Sequence, residues 1–212
     1  MHEAGLPREL FRRADESADD QFYRSPRLVT HIDDGAIRAV TDLYRRFFPP
    51  GGVILDLMGS WVSHLPAEIA YGRVVGHGMN ARELSANSRL DESFVQNLNA
   101  DPRLPYDDAT FDAAGCCVSV QYLTNPTAVF AEVRRVLKPG APFVVTFSNR
   151  CFPTKAVAIW QSLDDDGHVS LVERYFAASE GWDEPETSTS RPRRGDPLYG
   201  VVARSRGIAP SP

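Results

Sequence analysis

Val53-Ile-Leu-Asp-Leu-Met-Gly-Ser-Trp61 is the stretch that decides the fold. Its first five residues form a nearly continuous apolar run, which is typical of a parallel strand covered on both faces. Residues 36–48 precede it with apolar positions at helical spacing, and Pro49-Pro50-Gly51-Gly52 ends that helix. The segment therefore predicts a helix, a turn, a buried strand and then a tight loop.

The rest of the chain continues to alternate between strands and helices. Leu104-Pro-Tyr-Asp-Asp-Ala-Thr-Phe-Asp112 is a turn that leads into an apolar strand, and Leu137-Lys-Pro-Gly-Ala-Pro-Phe-Val-Val145 is a helix end followed by another buried strand. This alternation predicts a doubly wound α/β sheet, whose ligands bind beyond the carboxyl ends of the strands. The predicted strands are 53–57, 73–76, 93–98, 111–120, 142–147 and 198–203, with 182–190 as antiparallel partner of the last.

Helices are predicted at 36–48, 66–71, 154–163 and 169–178, and a short one around Leu6, Leu10 and Phe11. Asn125-Pro126 starts a further helix, with Asn as the cap and Pro in the first turn. Asn80-Ala-Arg-Glu83 fits a capping box, in which Asn80 caps the helix and Glu83 reaches back.

Composition excludes several classes of protein. The 212 residues are 42% hydrophobic and 24% charged, which is ordinary for one globular domain. The net charge of −5 argues against nucleic-acid binding. No apolar run has the length of a membrane span and the first residues lack a signal peptide, so we expect a cytoplasmic protein. The five histidines and three cysteines show no metal-ligand spacing, so no metal site is expected.

The three quoted stretches, in this order, resemble the core of the class I S-adenosylmethionine-dependent methyltransferases, in particular the small-molecule, type 11-like group. The resemblance implies a Rossmann-like, mostly parallel seven-stranded sheet with its last strand antiparallel. It also implies a lid segment at 1–34, a methyltransferase-like α/β domain at 35–206 and a flexible tail at 207–212. The expected cofactor is S-adenosylmethionine, the expected partner a small-molecule substrate, and the expected state a monomer or homodimer.

The loop after the first strand departs from the family. Asp56 matches the acidic position, but Met58, Ser60 and Val62 stand where the family has three glycines. Gly59 is a glycine, but it lies one position away from the family's glycine pattern. The Ser60 and Ser63 hydroxyls offer compensating hydrogen bonds to the cofactor, or else the loop has closed over an empty site, and the sequence leaves both open.

The second strand also departs. Gly78 stands where the family has an acidic residue that binds the ribose, so two charge-assisted hydrogen bonds are missing. His77 or Asn80 is a substitute ribose ligand. Met79 falls where an apolar residue covers adenine, or it is ordinary core.

The later strand ends supply the remaining cofactor candidates. Asn97 and Leu98 match positions that flank adenine, although Asn97 also suits a turn that bonds its own backbone. Gln121 and Tyr122 fall where the family lines the cofactor or substrate pocket, and Tyr122 is equally suited to the core.

Acceptor residues are expected at the fifth strand end and in the lid. Asn149 and Arg150 follow the fifth strand, and Arg150 suits a substrate carboxylate. A surface loop is the alternative. Tyr23, Arg27 and His31 are the lid candidates, against simple packing on the first helix. His31 and His64 are candidate general bases if the acceptor is a hydroxyl.

The resemblance implies a methyltransferase acting on a small molecule. Two alternatives stay open: a protein that keeps the fold but has lost methyl transfer, and an enzyme that uses the cofactor for another reaction, such as cyclisation. A nicotinamide dehydrogenase is disfavoured, because the Gly-x-Gly-x-x-Gly fingerprint is missing after the first strand.

Overall fold

The N-terminal residues form a two-stranded sheet separate from the main one. The computed structural model describes residues 2–207, so most of the predicted tail at 207–212 lies outside the described residues. Strands β1 (His2–Glu3) and β2 (Leu6–Pro7) pair as a hairpin. The short helix predicted next to them is a 3₁₀ helix at Arg8–Phe11, and α1 (Asp19–Phe22) follows.

A seven-stranded sheet forms the centre of the fold, with strand order β5-β4-β3-β6-β7-β9-β8. The five strands from β5 to β7 are parallel, and β9 is antiparallel to both β7 and β8. This confirms the predicted fold class. The strands are β3 (Val53–Leu57), β4 (Arg73–Gly78), β5 (Glu92–Val95), β6 (Ala113–Cys117), β7 (Pro142–Phe147), β8 (Glu186–Ser190) and β9 (Leu198–Arg204).

Helices cover both faces of the sheet. They are α2 (Asp34–Phe47), α3 (Ala81–Ala86), α4 (Pro126–Val136), α5 (Ala158–Ser162) and α6 (Asp165–Ser179). Alternate residues of each strand face opposite layers, so Ile54 packs with α2 and Leu55 with the cluster that contains α4 and α6. Each large apolar side chain buried in these layers contributes about 1.5–3 kcal/mol.

The helix starts follow the sequence signals with two differences. Asp33 caps α2 by accepting from the Ala36 amide, and Asn80 caps α3 by accepting from the amides of Arg82 and Glu83. The Asn125 side chain makes no capping hydrogen bond, although α4 begins at Pro126 as predicted. The predicted hydrogen bond from the Asn80 amide to the Glu83 side chain is wrong, because the Glu83 carboxylate accepts from Arg27 and Ser60 instead.

The helix predicted at 66–71 is absent. The segment is too short to form a stable helix by itself, since nucleation is costly. Arg89 donates to the carbonyls of Pro66 and Ile69, at 3.2 and 3.1 Å, and holds the segment as a turn. The crossover from β3 to β4 therefore contains no helix.

Three other predicted elements are shorter. The strand predicted at 93–98 ends at Val95, because the Asn97 side chain accepts from the Asn99 amide in a turn. The strand predicted at 111–120 ends at Cys117, where Val118 takes a positive φ of 45°. Helix α5 covers only the second half of 154–163 because Val157 pairs with Arg13 in an isolated bridge. Among residues 2–207, no helix is long and apolar enough to cross a bilayer.

A buried cation attaches the N-terminal segment to the domain. The Lys155 side chain is fully buried, its Nζ donates to the Ser17 carbonyl at 2.6 Å, and it lies 3.4 Å from Asp19 Oδ1. Arg13 Nη1 donates to the same Asp19 oxygen at 2.6 Å. These contacts fix residues 13–19 against the chain that follows β7.

We expect Lys155→Met to lower the free energy of unfolding by about 3 kcal/mol, because it leaves the buried Asp19 carboxylate short of a cation. Urea denaturation measures this. Lys138→Met is the matched control: Lys138 pairs with Asp112 at 2.7 Å on the surface, so its loss should cost less than about 1 kcal/mol. Equal costs for the two variants would contradict the structural role given to Lys155.

Candidate functional site

A cavity of about 480 Å³ lies beyond the carboxyl ends of the parallel strands. Its walls come from the loops that follow β3, β4, β5, β6 and β7 and from the N-terminal segment between Arg13 and Ile32. This is the position where sheets of this type bind ligands, and the volume falls within the range of small-molecule sites.

Most of the predicted site residues meet in this cavity. All but two of them line it. The predicted residues that line the cavity are Tyr23, Arg27, His31, Asp56, Met58, Gly59, Ser60, His64, Gly78, Met79, Asn97, Leu98, Tyr122, Asn149 and Arg150. Met58 and Trp61 lie in the wall and do not fill the space.

Asn80 and Gln121 do not line the cavity, contrary to the sequence-based prediction. The Asn80 side chain caps α3 and donates to the carbonyls of Tyr23 and Arg24, at 2.8 and 3.1 Å. Gln121 is fully buried, and its Nε2 donates to the Val118 carbonyl at 2.8 Å. Both amides are therefore committed to holding the walls of the cavity.

The loop after β3 is fixed by His77 on β4. The Met58 amide donates to His77 Nδ1 at 3.0 Å, and the Gly59 amide donates to the His77 carbonyl at 2.7 Å. His77 Nε2 donates to the Gln96 carbonyl at 2.9 Å, which assigns the neutral tautomer with its proton on Nε2. Burial lowers the pKa of His77 to about 4. Both ring nitrogens are occupied, so His77 is not a ribose ligand in this arrangement.

The same loop explains why β4 ends in glycine. A Cβ on Gly78 would lie 2.6 Å from the Gly59 carbonyl oxygen, and a Cβ on Gly59 would lie 2.8 Å from Asp56 Oδ2. The two glycines thus make room for the protein's own backbone and carboxylate. An acidic side chain at position 78 has no room without a shift of the loop.

Asp56 is a buried acid in the wall of the cavity. Its Oδ2 accepts from Ser63 Oγ at 2.6 Å, and the residue is 5% exposed. Burial raises the pKa of Asp56 to about 7, and the Ser63 hydrogen bond opposes that rise. No basic side chain among residues 2–207 forms an ion pair with it, so a cation in the cavity would stabilise its charged form.

Glu83 is a cavity residue that the sequence reasoning missed. Its Oε1 accepts from the Arg27 amide at 2.6 Å, and its Oε2 accepts from Ser60 Oγ at 2.7 Å. The capping-box pattern assigned this carboxylate to the Asn80 amide. The signal that could have identified it is its position one turn beyond a strand end.

The N-terminal segment is bonded to the loops that form the cavity. Trp61 Nε1 donates to the Val29 carbonyl at 3.0 Å, and Asn80 and Glu83 bind the backbone at Tyr23, Arg24 and Arg27. The outer faces of Leu28 and Val29 are more than half exposed.

An aromatic cluster holds a cation at the edge of the cavity. The Arg27 guanidinium lies 4.7 Å from the Phe22 ring centroid and 5.2 Å from that of Phe152. Tyr122 stacks on Phe152 with centroids 5.8 Å apart, and its hydroxyl accepts from the Phe152 amide at 2.8 Å. Arg27 Nη2 donates to the Phe22 carbonyl at 3.0 Å. A guanidinium carries five N–H donors, so others remain for an anionic partner.

His31 and His64 are two further histidines of the cavity, and the lowered pKa of each favours its neutral form. Burial lowers the pKa of His64 below its ordinary value of 6.5. The pKa of His31 is also lowered, mainly by loss of solvent, while the Glu83 charge opposes the change. A neutral imidazole is the form that accepts a proton.

Residues 58–145 match the family model described as a methyltransferase domain. The sterol 4-C-methyltransferase strm-1 of Caenorhabditis elegans is 32% identical over 103 residues, which cover 45% of this chain and 27% of that relative. The match thus spans about a quarter of that relative's length. The demethylmenaquinone methyltransferase of Clavibacter sepedonicus is 27% identical over 183 residues, which cover 76% of this chain and 75% of the relative.

The cyclase SpnF is a solved structure with the same fold. It superposes with a TM-score of 0.61 at 18% identity, over 89% of this chain and 91% of that chain. Residues 58–145 thus match a methyltransferase domain, and the seven-stranded sheet has the topology of the Rossmann-like methyltransferase fold that the resemblance implied.

Proposed function

We propose that the protein binds S-adenosylmethionine in the 480 Å³ cavity and transfers its methyl group to a small-molecule acceptor. The proposal rests on the convergence of the predicted residues of five strand-end loops on one cavity. Strands in a parallel sheet bring such loops together only at the carboxyl edge.

The residues of the cavity suit the parts of this cofactor. Met79 and Leu98 offer apolar surfaces for a planar base, and the Asn97 amide nitrogen is a donor that its own turn does not use. Met58, Gly59 and Ser60 form the wall beside Asp56, where the carboxylate would stabilise the ammonium of the cofactor's amino-acid end. Tyr23 closes the cavity from the N-terminal side.

S-adenosylmethionine supplies a methyl group on a sulfonium, which is already a strong donor. The protein's own residues are left to position the acceptor and to exclude water. The segment from Arg13 to Ile32 excludes water by covering the cavity. His31 or His64 accepts the proton when the acceptor is a hydroxyl, because burial keeps both neutral.

The acceptor is held by the outer part of the cavity. Arg27 and Arg150 both line it, and Arg150 is largely exposed with Asp196 3.8 Å from its Nε. Asn149 and Tyr122 add polar groups in the same region. Two guanidinium groups favour an acceptor that carries a carboxylate or another anion. With a net charge of −5 the protein has no nucleic-acid partner in this proposal, and it works in the cytoplasm as a monomer or homodimer.

A second candidate is cofactor binding without methyl transfer. The crossover from β3 to β4 has no helix, so no helix start is aimed at the cofactor's carboxylate, and Met58 and Ser60 replace two glycines. The shared fold with the cyclase SpnF supports the idea that such a site can serve a cyclisation. The second candidate also includes a protein that binds the cofactor and catalyses no reaction.

Isothermal titration with S-adenosylhomocysteine tests the proposal. We expect saturable binding at one site, and no heat with a nicotinamide dinucleotide as the control ligand. A flat trace with folded protein would exclude the cofactor. An assay with methyl-labelled S-adenosylmethionine then separates the two candidates, because only transfer moves the label to the acceptor.

Binding of S-adenosylhomocysteine should also strengthen as the pH rises through about 7. The Asp56 carboxyl has a pKa of about 7 and must lose its proton to attract the ligand's ammonium. Affinity at pH 6 should therefore be about tenfold below the plateau above pH 8. Titration at a series of pH values measures the profile.

Asp56→Asn should make the affinity for S-adenosylhomocysteine independent of pH and lower the affinity measured above pH 8. Asp112→Asn is the control, since Asp112 bonds the Val53 amide and Lys138 outside the cavity and should leave the profile unchanged. A wild-type affinity that does not change between pH 6 and 8 would contradict the role assigned to Asp56.

A further inference from the structure

Three carboxylates line the cavity, and they differ in how they are engaged. Asp19 is bonded to Arg13 and lies beside Lys155 and Asn99. Asp56 is buried and bonded to Ser63. Glu83 is half-buried, and no basic side chain of the described residues lies within ion-pair distance of it. Asp56 and Glu83 thus both lack an ion-pair partner among the described residues, and Glu83 is the less buried of the two.

Glu83 also keeps acceptor capacity. A carboxylate offers about four lone-pair directions. The Arg27 amide takes one at Oε1 and the Ser60 hydroxyl takes one at Oε2. One further acceptor direction is left on each oxygen. Two acceptors on one rigid group match the two neighbouring hydroxyls of a ribose, since a charged acceptor makes the stronger hydrogen bonds.

The position of Glu83 is close to the end of β4. Its partner Ser60 directly follows Gly59, whose carbonyl oxygen is 2.6 Å from the place of a Cβ on Gly78. The next residue, Leu84, has its Cδ2 3.2 Å from that same point. The loop backbone thus excludes a side chain at position 78, and Glu83 brings a carboxylate to the same corner from α3.

We propose that Glu83 is the residue that binds the ribose hydroxyls of the adenosyl ligand, in place of an acid at the end of β4. The inference rests on the proposed function, because it needs a nucleoside in the cavity. Since the same carboxylate accepts from the Arg27 amide, it joins ligand binding to the segment that covers the cavity.

Deoxy analogues test the proposal. We expect wild-type protein to bind S-adenosylhomocysteine about tenfold or more tightly than its 2′-deoxy and 3′-deoxy forms, because each lacks one donor to a charged acceptor. Glu83→Gln should bind S-adenosylhomocysteine about tenfold more weakly and should discriminate against the deoxy forms by less than about threefold. Thermal melting checks that the variant is folded.

Ser60→Ala is the matched control. It removes the hydroxyl that donates to Glu83 Oε2 but keeps the Glu83 carboxylate, so the variant should still discriminate against the deoxy ligands. If Glu83→Gln discriminates as strongly as wild type, Glu83 only fastens the Arg27 backbone and the inference is overturned. If wild-type protein fails to bind S-adenosylhomocysteine at all, the proposed function itself fails, and the two failures are thus distinguishable.

Discussion

The hydrogen bond from the Met58 amide to His77 Nδ1 fixes the path of the loop after β3, and the rest of the site depends on that path. It holds Met58 at a positive φ of 55° and brings the Gly59 carbonyl over the end of β4. Strained backbone of this kind persists only where the surroundings determine it. The arrangement requires a neutral imidazole, and burial of His77 ensures it by lowering the pKa to about 4.

The path of the loop connects the two departures from the family pattern. The loop lies against Gly78, so an acid at that position has no room, and the space that alternating glycines would open is partly occupied by Asp56 and the loop itself. The cavity nevertheless persists, because Met58 and Trp61 lie along its wall. The closed-loop alternative required those side chains to fill the space.

The sequence predicted the sheet well because buried parallel strands leave continuous apolar runs, as at Val53–Leu57 and Pro142–Phe147. It predicted the strand and helix ends less well, since these depend on single side chains. Arg89 prevents the helix at 66–71, and Val118 ends β6 early. The sequence predicted which strand-end residues meet in the cavity because topology alone places them at one edge of the sheet. The side-chain positions of Asn80 and Glu83 were not predicted because their hydrogen-bond partners lie far away in the chain. The Gln121 side chain instead bonds the nearby Val118 carbonyl in the interior.

The central claim is that the space between the loop after β3 and the N-terminal segment seats an adenosyl group. A crystal structure of the protein grown with S-adenosylhomocysteine tests this most directly. We expect the nucleoside in the 480 Å³ cavity, with the hydrogen bond from Met58 to His77 intact. Ligand bound elsewhere, or a cavity reached only after that hydrogen bond breaks and the loop moves off Gly78, would contradict it.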